Sequence, residues 1–257
     1  MRDDLGADVH LAAPPRRVVS LVPSLTETVA VSAPGLLVGA TDYCTHPDGL
    51  DVARVGGTKN PSIERVLAAA PDLVLANAEE NRPEDIEALR AAGVPVWVTF
   101  PRTVDEALVS LERMLARLGV SSPSWLAAAR AAWAAPDAPD GPRRRAVVPV
   151  WRRPWVVVGP DTFAGDVLRR LGVDNVYDDA DERYPRPQLS EIRARRPDLV
   201  VLPDEPYRFH AGDGPESFPG LPCALVSGRH LTWYGPSLAE ARAVLAAQLA
   251  AAVPPST

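Results

Sequence analysis

The sequence predicts an α/β protein made of two Rossmann-like lobes that are joined by a single linking helix. Two observations lead to this prediction: strand-like apolar runs alternate with helical patterns in the first half, and the second half repeats the first. The chain has 257 residues, enough for one or two domains at about 150 residues each. With 46% hydrophobic and 23% charged residues, it can bury a large core.

Strands and helices alternate regularly through the first half of the chain. The apolar runs Val18–Val22 and Leu73–Ala76 are typical of strands buried in a parallel sheet. Helical patterns lie between and after them, with Pro, Gly and Asn at the joints. The predicted order is strand 17–22, helix 24–33, strand 36–40, helix 62–69, strand 73–76, helix 83–92, strand 94–98 and helix 103–118.

Several helix ends carry recognisable signals. Ser24 precedes Glu27 by three residues, as in the S-x-x-E capping box, and Ser62 can cap the helix that follows it. Gly93 and Gly119 come directly after helical patterns, where glycine often takes a left-handed conformation. These signals support the predicted helix bounds.

The second half repeats motifs of the first at a nearly constant separation of 126 to 128 residues. Each match is short, but three matches in the same order indicate two similar α/β lobes. The matching pairs are Ala70–Leu75 with Arg196–Val201, Ser62–Glu64 with Leu189–Glu191, and Arg17–Val19 with Arg145–Val147.

The predicted organisation follows from this repeat. An N-terminal extension (1–15) precedes the N-terminal lobe (16–118), and the C-terminal lobe spans residues 146–257. The linking helix and linker occupy 119–145, where a helix of about a dozen residues begins after Pro123 and A-P-D-A-P-D-G-P closes the segment. Such a helix is roughly 18–20 Å long.

Two lobes joined by one linker leave a cleft, and ligands of open α/β sheets bind beyond the carboxyl ends of the strands. The loops at those predicted ends carry nine large rings, an unusual density in a chain with 6% aromatic residues. The simpler alternative is that some of these rings cover an exposed sheet edge. We favour a ligand cleft, because solvated loops rarely gather so many rings without a partner. They belong to Tyr43, His46, Trp151, Trp155, Phe163, Tyr207, Phe209, Trp233 and Tyr234.

Motifs of catalysis and of metal binding are absent from the sequence. It has no G-x-x-x-x-G-K-[ST] phosphate loop, no G-x-G-x-x-G after the first strand and no G-x-S-x-G elbow. The four histidines lack ligand spacing, and Cys44 and Cys223 are far apart. The adjacent acids Glu79 and Glu80 are capable of acid–base work but are more often solvated. We therefore expect no catalytic residue, no metal site and no intrinsic cofactor, and the net charge of −6 argues against nucleic-acid binding.

Seven segments together resemble a known family, among them P-D-L-V-L-A (71–76) and R-H-L-T-W-Y-G-P (229–236). R-V-V-S-L-V-P-S-L-T-E-T (17–28), V-G-A-T-D-Y-C-T-H-P (38–47) and G-G-T-K-N-P-S-I-E-R-V (56–66) resemble the N-terminal lobe of the vitamin B12 and iron-siderophore substrate-binding proteins of ABC importers. The segment from Trp151 to Val176 and L-P-D-E-P-Y-R-F (202–209) resemble the C-terminal lobe of the cobalamin-binding branch. The resemblance covers residues 16–250.

The resemblance implies a non-enzymatic, monomeric protein that holds its ligand between two lobes for an importer. The implied ligand is cobalamin or another corrinoid, with haem or a ferric siderophore as alternatives. One glutamate per lobe is implied to dock onto arginines of the permease dimer; by motif position these are Glu64 and Glu191, which the internal repeat also selects. Together with the rings of the strand-end loops, this predicts the ligand contacts Tyr43, Lys59, Trp151, Arg152, Trp155, Phe163, Glu205, Tyr207 and Trp233.

The N-terminal sequence M-R-D-D-L-G-A-D-V-H-L has no basic region, no apolar stretch and no lipoprotein cysteine. No apolar run approaches the roughly 20 residues of a membrane span. The sequence as written therefore predicts a cytoplasmic chain without membrane insertion, whereas the family is exported or anchored at the cell surface. A second hypothesis is a cytoplasmic corrinoid carrier, chaperone or enzyme that uses the same scaffold.

Overall fold

The computed structural model describes residues 1–134 and 142–252 and divides the chain into two compact units. Each unit contains a parallel sheet with helices packed against it, so the predicted α/β class is confirmed. Unit 1 consists of Met1–Pro101, Asp105–Ala128 and Tyr234–Pro236, and unit 2 of Arg102–Val104, Ala129–Trp233 and Ser237–Thr257.

The eight elements predicted for the first half are all present. One short strand, β3, was not predicted, because its two residues are exposed and carry no apolar pattern. Up to residue 134 the elements are β1 (Val18–Ser20), α1 (Pro23–Ser32), β2 (Leu37–Ala40), β3 (Ala53–Arg54), α2 (Ile63–Ala68), β4 (Leu73–Asn77), α3 (Pro83–Ala91), β5 (Val96–Thr99), α4 (Val104–Arg117) and α5 (Ser124–Trp133).

The sheet of unit 1 is parallel, with strand order β3-β2-β1-β4-β5. Every residue of β1, β4 and β5 is buried, as expected for strands covered on both faces. Because β1 and β4 lie side by side in the middle, their carboxyl ends open at the same edge of the sheet.

Unit 2 repeats this arrangement with a four-stranded parallel sheet, β11-β10-β6-β9, and adds an antiparallel hairpin, β7–β8, outside it. Phe209 and Phe218, both almost fully buried, help to fill its core. Its elements are β6 (Arg144–Val147), β7 (Pro149–Trp151), β8 (Val156–Val157), α6 (Phe163–Arg170), β9 (Val173–Asn175), α7 (Leu189–Ala194), β10 (Leu199–Pro203), a 3₁₀ turn (Pro215–Ser217), β11 (Cys223–Val226), α8 (Gly228–Thr232) and α9 (Leu238–Ala250).

The internal repeat extends to individual hydrogen bonds. In unit 1, Asp72 Oδ2 accepts the N–H of Arg17 (3.0 Å), and the Arg17 carbonyl accepts the N–H of Asp72 (2.8 Å). Asp198 and Arg145 form the same pair of bonds in unit 2, at 3.0 and 2.7 Å. The residue two positions before each aspartate has a positive φ, 44° and 49° respectively. The repeated X-Pro-Asp segment therefore forms the same turn in both units, directly before β4 in unit 1 and before β10 in unit 2.

Three of the predicted helix-end signals are confirmed. The Ser62 side chain caps α2 by accepting the N–H of Arg65 (3.3 Å). Gly93 and Gly119 follow α3 and α4 with φ of +81° and +80°, the left-handed conformation that glycine adopts at no steric cost.

The predicted capping box at Ser24 is wrong. Helix α1 begins at Pro23, with Val22 as the N-cap and no side-chain cap. Proline favours the first helical position because its φ is already helical and its missing N–H would have had no partner there. Ser24 consequently lies inside the first turn, where its carbonyl accepts the hydroxyl of Thr28 (2.8 Å).

Helix α5 corresponds to the predicted linking helix, and a tryptophan anchors each of its ends. Trp125 Nε1 donates to Ser32 Oγ within unit 1 (2.8 Å), and Trp133 Nε1 donates to the Leu238 carbonyl within unit 2 (2.9 Å). Residues 135–141 of the segment predicted to close the linker lie outside the described residues. The domain bounds given above stay a prediction.

The first residues of the chain form a small hairpin against β5. Asp4 donates its N–H to the Val98 carbonyl (3.1 Å) and accepts the N–H of Phe100 at Oδ2 (2.8 Å). Asp3 Oδ2 accepts the N–H of Val98 (3.3 Å). The two aspartates thus form hydrogen bonds with backbone groups at the outer edge of β5, as a further strand would.

Candidate functional site

A buried polar network lies at the carboxyl ends of β4 and β5 in unit 1. Asn77, the last residue of β4, donates from Nδ2 to the Thr99 carbonyl (3.0 Å) and to the Tyr234 hydroxyl (2.6 Å). Its Oδ1 accepts the N–H groups of Glu79 and Glu80, at 2.7 and 3.0 Å. Since this side chain is fully engaged, the backbone of the loop after β4 is held in one conformation.

Asn81 connects this loop to two neighbouring segments. Its Oδ1 accepts the N–H of Asn77 (2.9 Å), and its Nδ2 donates to the carbonyls of Leu21 (3.3 Å) and Thr58 (2.9 Å). Because Thr58 directly precedes Lys59, Asn81 also holds the segment that carries a predicted ligand contact.

Tyr43 and Lys59 lie on neighbouring segments of unit 1, and both are exposed. Tyr43 is 67% exposed, and its ring edge is 3.5 Å from the position that a Cβ at Gly57 would take. The Lys59 ammonium donates to the carbonyl of Glu79. Both predicted contacts are therefore accessible at this face of unit 1.

In unit 2 four rings form a continuous group, the ring cluster: Trp151, Trp155, Tyr207 and Phe209. Trp151 meets Tyr207 edge to face (centroids 5.7 Å apart, 81° between planes), and Tyr207 lies 4.6 Å from Phe209. Phe209 stacks parallel to Trp155 at 6.2 Å, and Trp155 also contacts Phe218 (5.3 Å). Trp151 is 46% exposed, Tyr207 and Trp155 are half-buried, and Phe209 is buried. The cluster thus joins the core to an accessible aromatic surface.

Arg152 lies beside the ring cluster with its guanidinium engaged by acids. Nη1 pairs with Asp213, Nη2 pairs with Glu216 (2.6 Å) and donates to Ser217 Oγ (3.2 Å), and the group lies 5.5 Å from the ring centroid of Trp155. Burial alone would raise the pKa of Glu216, but its hydrogen bond from a backbone N–H and the Arg152 charge outweigh burial and lower this pKa. We call Arg152, Asp213 and Glu216 the arginine clamp.

A tight turn supplies the acids of the clamp. The backbones of His210 and Asp213 exchange two hydrogen bonds (3.1 and 3.0 Å), and Asp213 Oδ2 accepts the Tyr207 hydroxyl (2.6 Å). Gly214 follows with φ +130°, and a Cβ there would lie 2.8 Å from the Phe209 ring. Only glycine fits this position, because both the backbone conformation and the close ring exclude a side chain.

The remaining predicted contacts of unit 2 lie deeper. Phe163, the first residue of α6, is 5% exposed, and Trp233, which ends α8, is 8% exposed. Glu205 is half-buried after β10, where its carbonyl oxygen lies 2.6 Å from the position of a Cβ at Gly228. The structure therefore brings Trp151, Arg152, Trp155 and Tyr207 together, whereas Phe163 and Trp233 lie in the interior.

A serine, a histidine and a glutamate meet between α8 and α9. His230 Nδ1 is 2.8 Å from Ser227 Oγ, and its Nε2 is 3.2 Å from Glu240 Oε1. The backbone N–H groups of Ser227 and Gly228 are already engaged, by a glutamine amide oxygen (3.0 Å) and an aspartate carboxylate (2.7 Å). Neither N–H is therefore positioned to stabilise an oxyanion, and the contacts hold α8 against α9.

Both thiols are buried and protonated near neutral pH. Burial raises the pKa of Cys44, and burial together with the Glu216 charge raises the pKa of Cys223 to about 11. Across residues 1–134 and 142–252, no group of three or more His, Cys, Asp or Glu side chains is placed to hold a metal ion.

Glu64 and Glu191 are both exposed in the first turn of corresponding helices, α2 and α7. Glu191 also accepts the N–H of Gln188 at Oε2 (2.6 Å), which caps the start of α7. Negative charge is stabilised at a helix N-terminus, so both carboxylates suit their positions.

Sequence reasoning assigned no role to Asn77, Asn81, Asp213 or Glu216. For Asp213 a partial signal existed, since the two glycines of H-A-G-D-G predict a tight turn. Its partner Arg152 is 61 residues away, a distance over which no local pattern identifies a contact.

Comparisons with known proteins give relatives in both sequence and structure, although no family model matches the chain. The Vitamin B12-binding protein of Yersinia pestis (strain Pestoides F) is 26% identical over 194 residues, which cover 72% of this chain and 69% of that protein. Among the described residues, no helix combines the length and apolar composition of a membrane crossing.

Two solved structures are similar over most of their length. The periplasmic haem-binding protein BhuT in complex with two haems has 26% identity and a TM-score of 0.75, covering 91% of this chain and 98% of that one. The periplasmic vitamin B12 binding protein BtuF of Vibrio cholerae shares the fold, with 19% identity, a TM-score of 0.72 and coverage of 93% and 98%. The resemblance predicted from the sequence is therefore confirmed: the chain is similar to the vitamin B12, haem and iron-siderophore substrate-binding proteins of ABC importers.

Proposed function

We propose that the protein binds a flat metal-chelate ligand, cobalamin or another corrinoid, and delivers it to the permease of an ABC importer. The ring cluster is the observation that carries this proposal. It offers an exposed Trp151 backed by the half-buried rings of Tyr207 and Trp155. An extended aromatic surface of this kind suits a broad planar ligand, because each ring contributes buried area and about 0.5–1.5 kcal/mol of stacking beyond it.

Unit 1 contributes further contacts in this proposal. Tyr43 and Lys59 are accessible on loops that internal hydrogen bonds hold in place, so they meet a ligand without first being ordered. Arg54 Nη1 donates to the carbonyls of Thr41 and Cys44 (both 2.9 Å), and Asn81 Nδ2 donates to that of Thr58 (2.9 Å). Glu205 contributes polar contacts from unit 2. Phe163 and Trp233 are 5% and 8% exposed, so a direct contact with the ligand would use only the small accessible part of each ring.

We propose that Glu64 and Glu191 dock the protein onto arginines of the permease. Both carboxylates are exposed, and they stand in the first turns of helices that the internal repeat relates to each other. A protein with two matching acidic positions suits a permease with two matching basic positions, because charge-assisted arginine–carboxylate contacts fix register.

In this role the protein is a binding protein rather than an enzyme, and it meets its permease on the outer face of the membrane. The relatives reported above carry the names of binding proteins, two of them described as periplasmic. The alternative, a cytoplasmic corrinoid carrier or enzyme, is tested by cell fractionation together with the binding experiment below.

The test is an absorbance titration of the purified protein with cyanocobalamin, hydroxocobalamin, haem and a ferric siderophore. We expect saturable one-to-one binding of a cobalamin at micromolar concentration or below. Trp125 donates its indole N–H to Ser32 within unit 1 and is not part of the ring cluster, so Trp125→Phe serves as a control that should leave affinity unchanged. No binding of any of the four ligands would contradict the proposed function.

A further inference from the structure

We propose that the arginine clamp makes the ring cluster selective for neutral, amide-rimmed chelates and against chelates that carry free carboxylates, such as haem. This inference rests on the proposed function and specifies its ligand class. In this proposal, the Arg152 guanidinium neutralises carboxylates of the protein and does not contact carboxylates at the edge of the ligand.

The clamp uses the donors of Arg152 inside the protein. Its two terminal nitrogens pair with Asp213 and Glu216, and Nη2 also donates to Ser217 Oγ. The Arg152 side chain is only 13% exposed, whereas that of Glu216 is 51% exposed. The cation is therefore covered by protein, and a carboxylate stands on the solvent side.

The charges of the clamp sum to a net negative value. One guanidinium faces two carboxylates, and the second oxygen of Asp213 accepts the Tyr207 hydroxyl (2.6 Å). That hydroxyl belongs to the ring cluster, so the carboxylates of the clamp lie directly beside the aromatic surface. A second cation, Arg193, is also near, and its guanidinium donates to the Ser217 carbonyl (3.2 Å).

This arrangement distinguishes two classes of flat chelate. Haem carries two propionate carboxylates, while a corrinoid ring is edged by neutral carboxamides. A propionate brought against the clamp meets like charge in a partly water-excluded place, where repulsion is stronger than in bulk water. Carboxamides are neutral and donate hydrogen bonds, so they suit the exposed oxygens of Glu216. Such repulsion against the wrong ligand is an effective source of specificity.

The double variant Asp213→Asn/Glu216→Gln tests this inference. Both substitutions keep the shape and an acceptor oxygen, and a glutamine amide at position 216 can still accept the Gly214 N–H that Glu216 accepts now (2.6 Å). They remove both negative charges and leave the Arg152 charge uncompensated. Thermal melts show whether each variant is folded. If the double variant unfolds, the same ligand comparison is made with the two single variants.

Three probes separate charge from shape: haem, its dimethyl ester, in which both propionates are neutral, and cyanocobalamin. We expect the unaltered protein to bind the ester at least tenfold more tightly than haem. In the double variant this preference should be abolished or reversed, with cyanocobalamin affinity changed by less than threefold. Glu84→Gln, which removes an exposed carboxylate from the first turn of α3 in unit 1, should leave the ester-to-haem ratio within twofold.

The results that would overturn this inference differ from those that would overturn the proposed function. Three results would each overturn the inference while leaving the proposed function intact. These are an unchanged ester-to-haem ratio in the variants, equal affinity of the unaltered protein for haem and ester, and a large effect of the Glu84→Gln control. Failure of the unaltered protein to bind any flat chelate would instead overturn the proposed function, and the inference with it.

Discussion

At the scale of single residues, Trp151 and Trp155 have different surroundings although only three residues separate them. Trp151 is 46% exposed and contacts Tyr207 at one edge. Trp155 lies among Phe209, Phe218 and the Arg152 guanidinium. The first ring is therefore free to serve a ligand, while the second also supports the core of unit 2.

This difference predicts separable effects of truncation. Trp151→Ala should lower cobalamin affinity about tenfold but change the free energy of unfolding by less than about 1 kcal/mol, because the ring is largely exposed. Trp155→Ala should cost about 2–4 kcal/mol of stability through lost packing. Denaturant unfolding and ligand titration measure the two quantities. Trp151→Phe, which keeps a ring, is the control; unchanged affinity in Trp151→Ala would place the ligand elsewhere.

At the scale of secondary-structure elements, the turn before β4 recurs before β10, but the two turns differ in the number of hydrogen bonds that their aspartate accepts. Asp72 Oδ2 accepts two backbone N–H groups, those of Arg16 (2.8 Å) and Arg17 (3.0 Å). For Asp198 the corresponding bond is to the N–H of Arg145 (3.0 Å). The same motif thus supports the start of β1 with one more bond than the start of β6.

Alanine at the two aspartates should reveal this difference. Asp72→Ala removes the acceptor of two N–H groups and should cost about 2 kcal/mol, whereas Asp198→Ala should cost about 1 kcal/mol. Amide hydrogen exchange at the starts of β1 and β6 provides the local measurement. The asparagine variants keep an acceptor and should lose less; equal loss of protection at both turns would refute the comparison.

Local patterns were sufficient for most elements of the first half and insufficient for the contacts between distant residues. The buried runs of β1 and β4 and the cap at Ser62 follow from neighbouring residues, so sequence reasoning located them correctly. It missed hairpin β7–β8, whose strands are short and separated by a turn containing Arg153 and Pro154. The accessible rings of the candidate site were predictable from strand-end loops, but the arginine clamp depends on tertiary packing that no local pattern encodes.

At the scale of the whole molecule, the docking proposal predicts that transport and ligand binding are separable. Glu64→Gln/Glu191→Gln removes both charges, and a glutamine at position 191 can still accept the Gln188 N–H that caps α7. We expect the complex with the permease to weaken at least tenfold and to lose salt dependence, because rim charges govern encounter and register. Ligand affinity should change less than twofold.

The control for this experiment is Glu84→Gln, which removes an exposed carboxylate from the first turn of another helix, α3. Pull-down with the reconstituted permease at two salt concentrations gives the measurement. Full transport by the double variant would eliminate these glutamates as docking residues, whereas an equal loss in the Glu84 variant would indicate a general effect of net charge.

The N-terminal hairpin affects how readily copies of this protein associate with one another at high concentration. An unpaired outer strand is a template onto which another chain can add its own strand, and natural proteins guard such strands with charge. Here Asp3 and Asp4 occupy the N–H groups of Val98 and Phe100 and place carboxylates along β5. A neighbouring copy therefore finds these two donors already engaged by carboxylates that are themselves paired with Arg90 (3.4 Å) and Arg113 (2.9 Å). This edge of the sheet consequently resists the strand-by-strand growth that leads to aggregates.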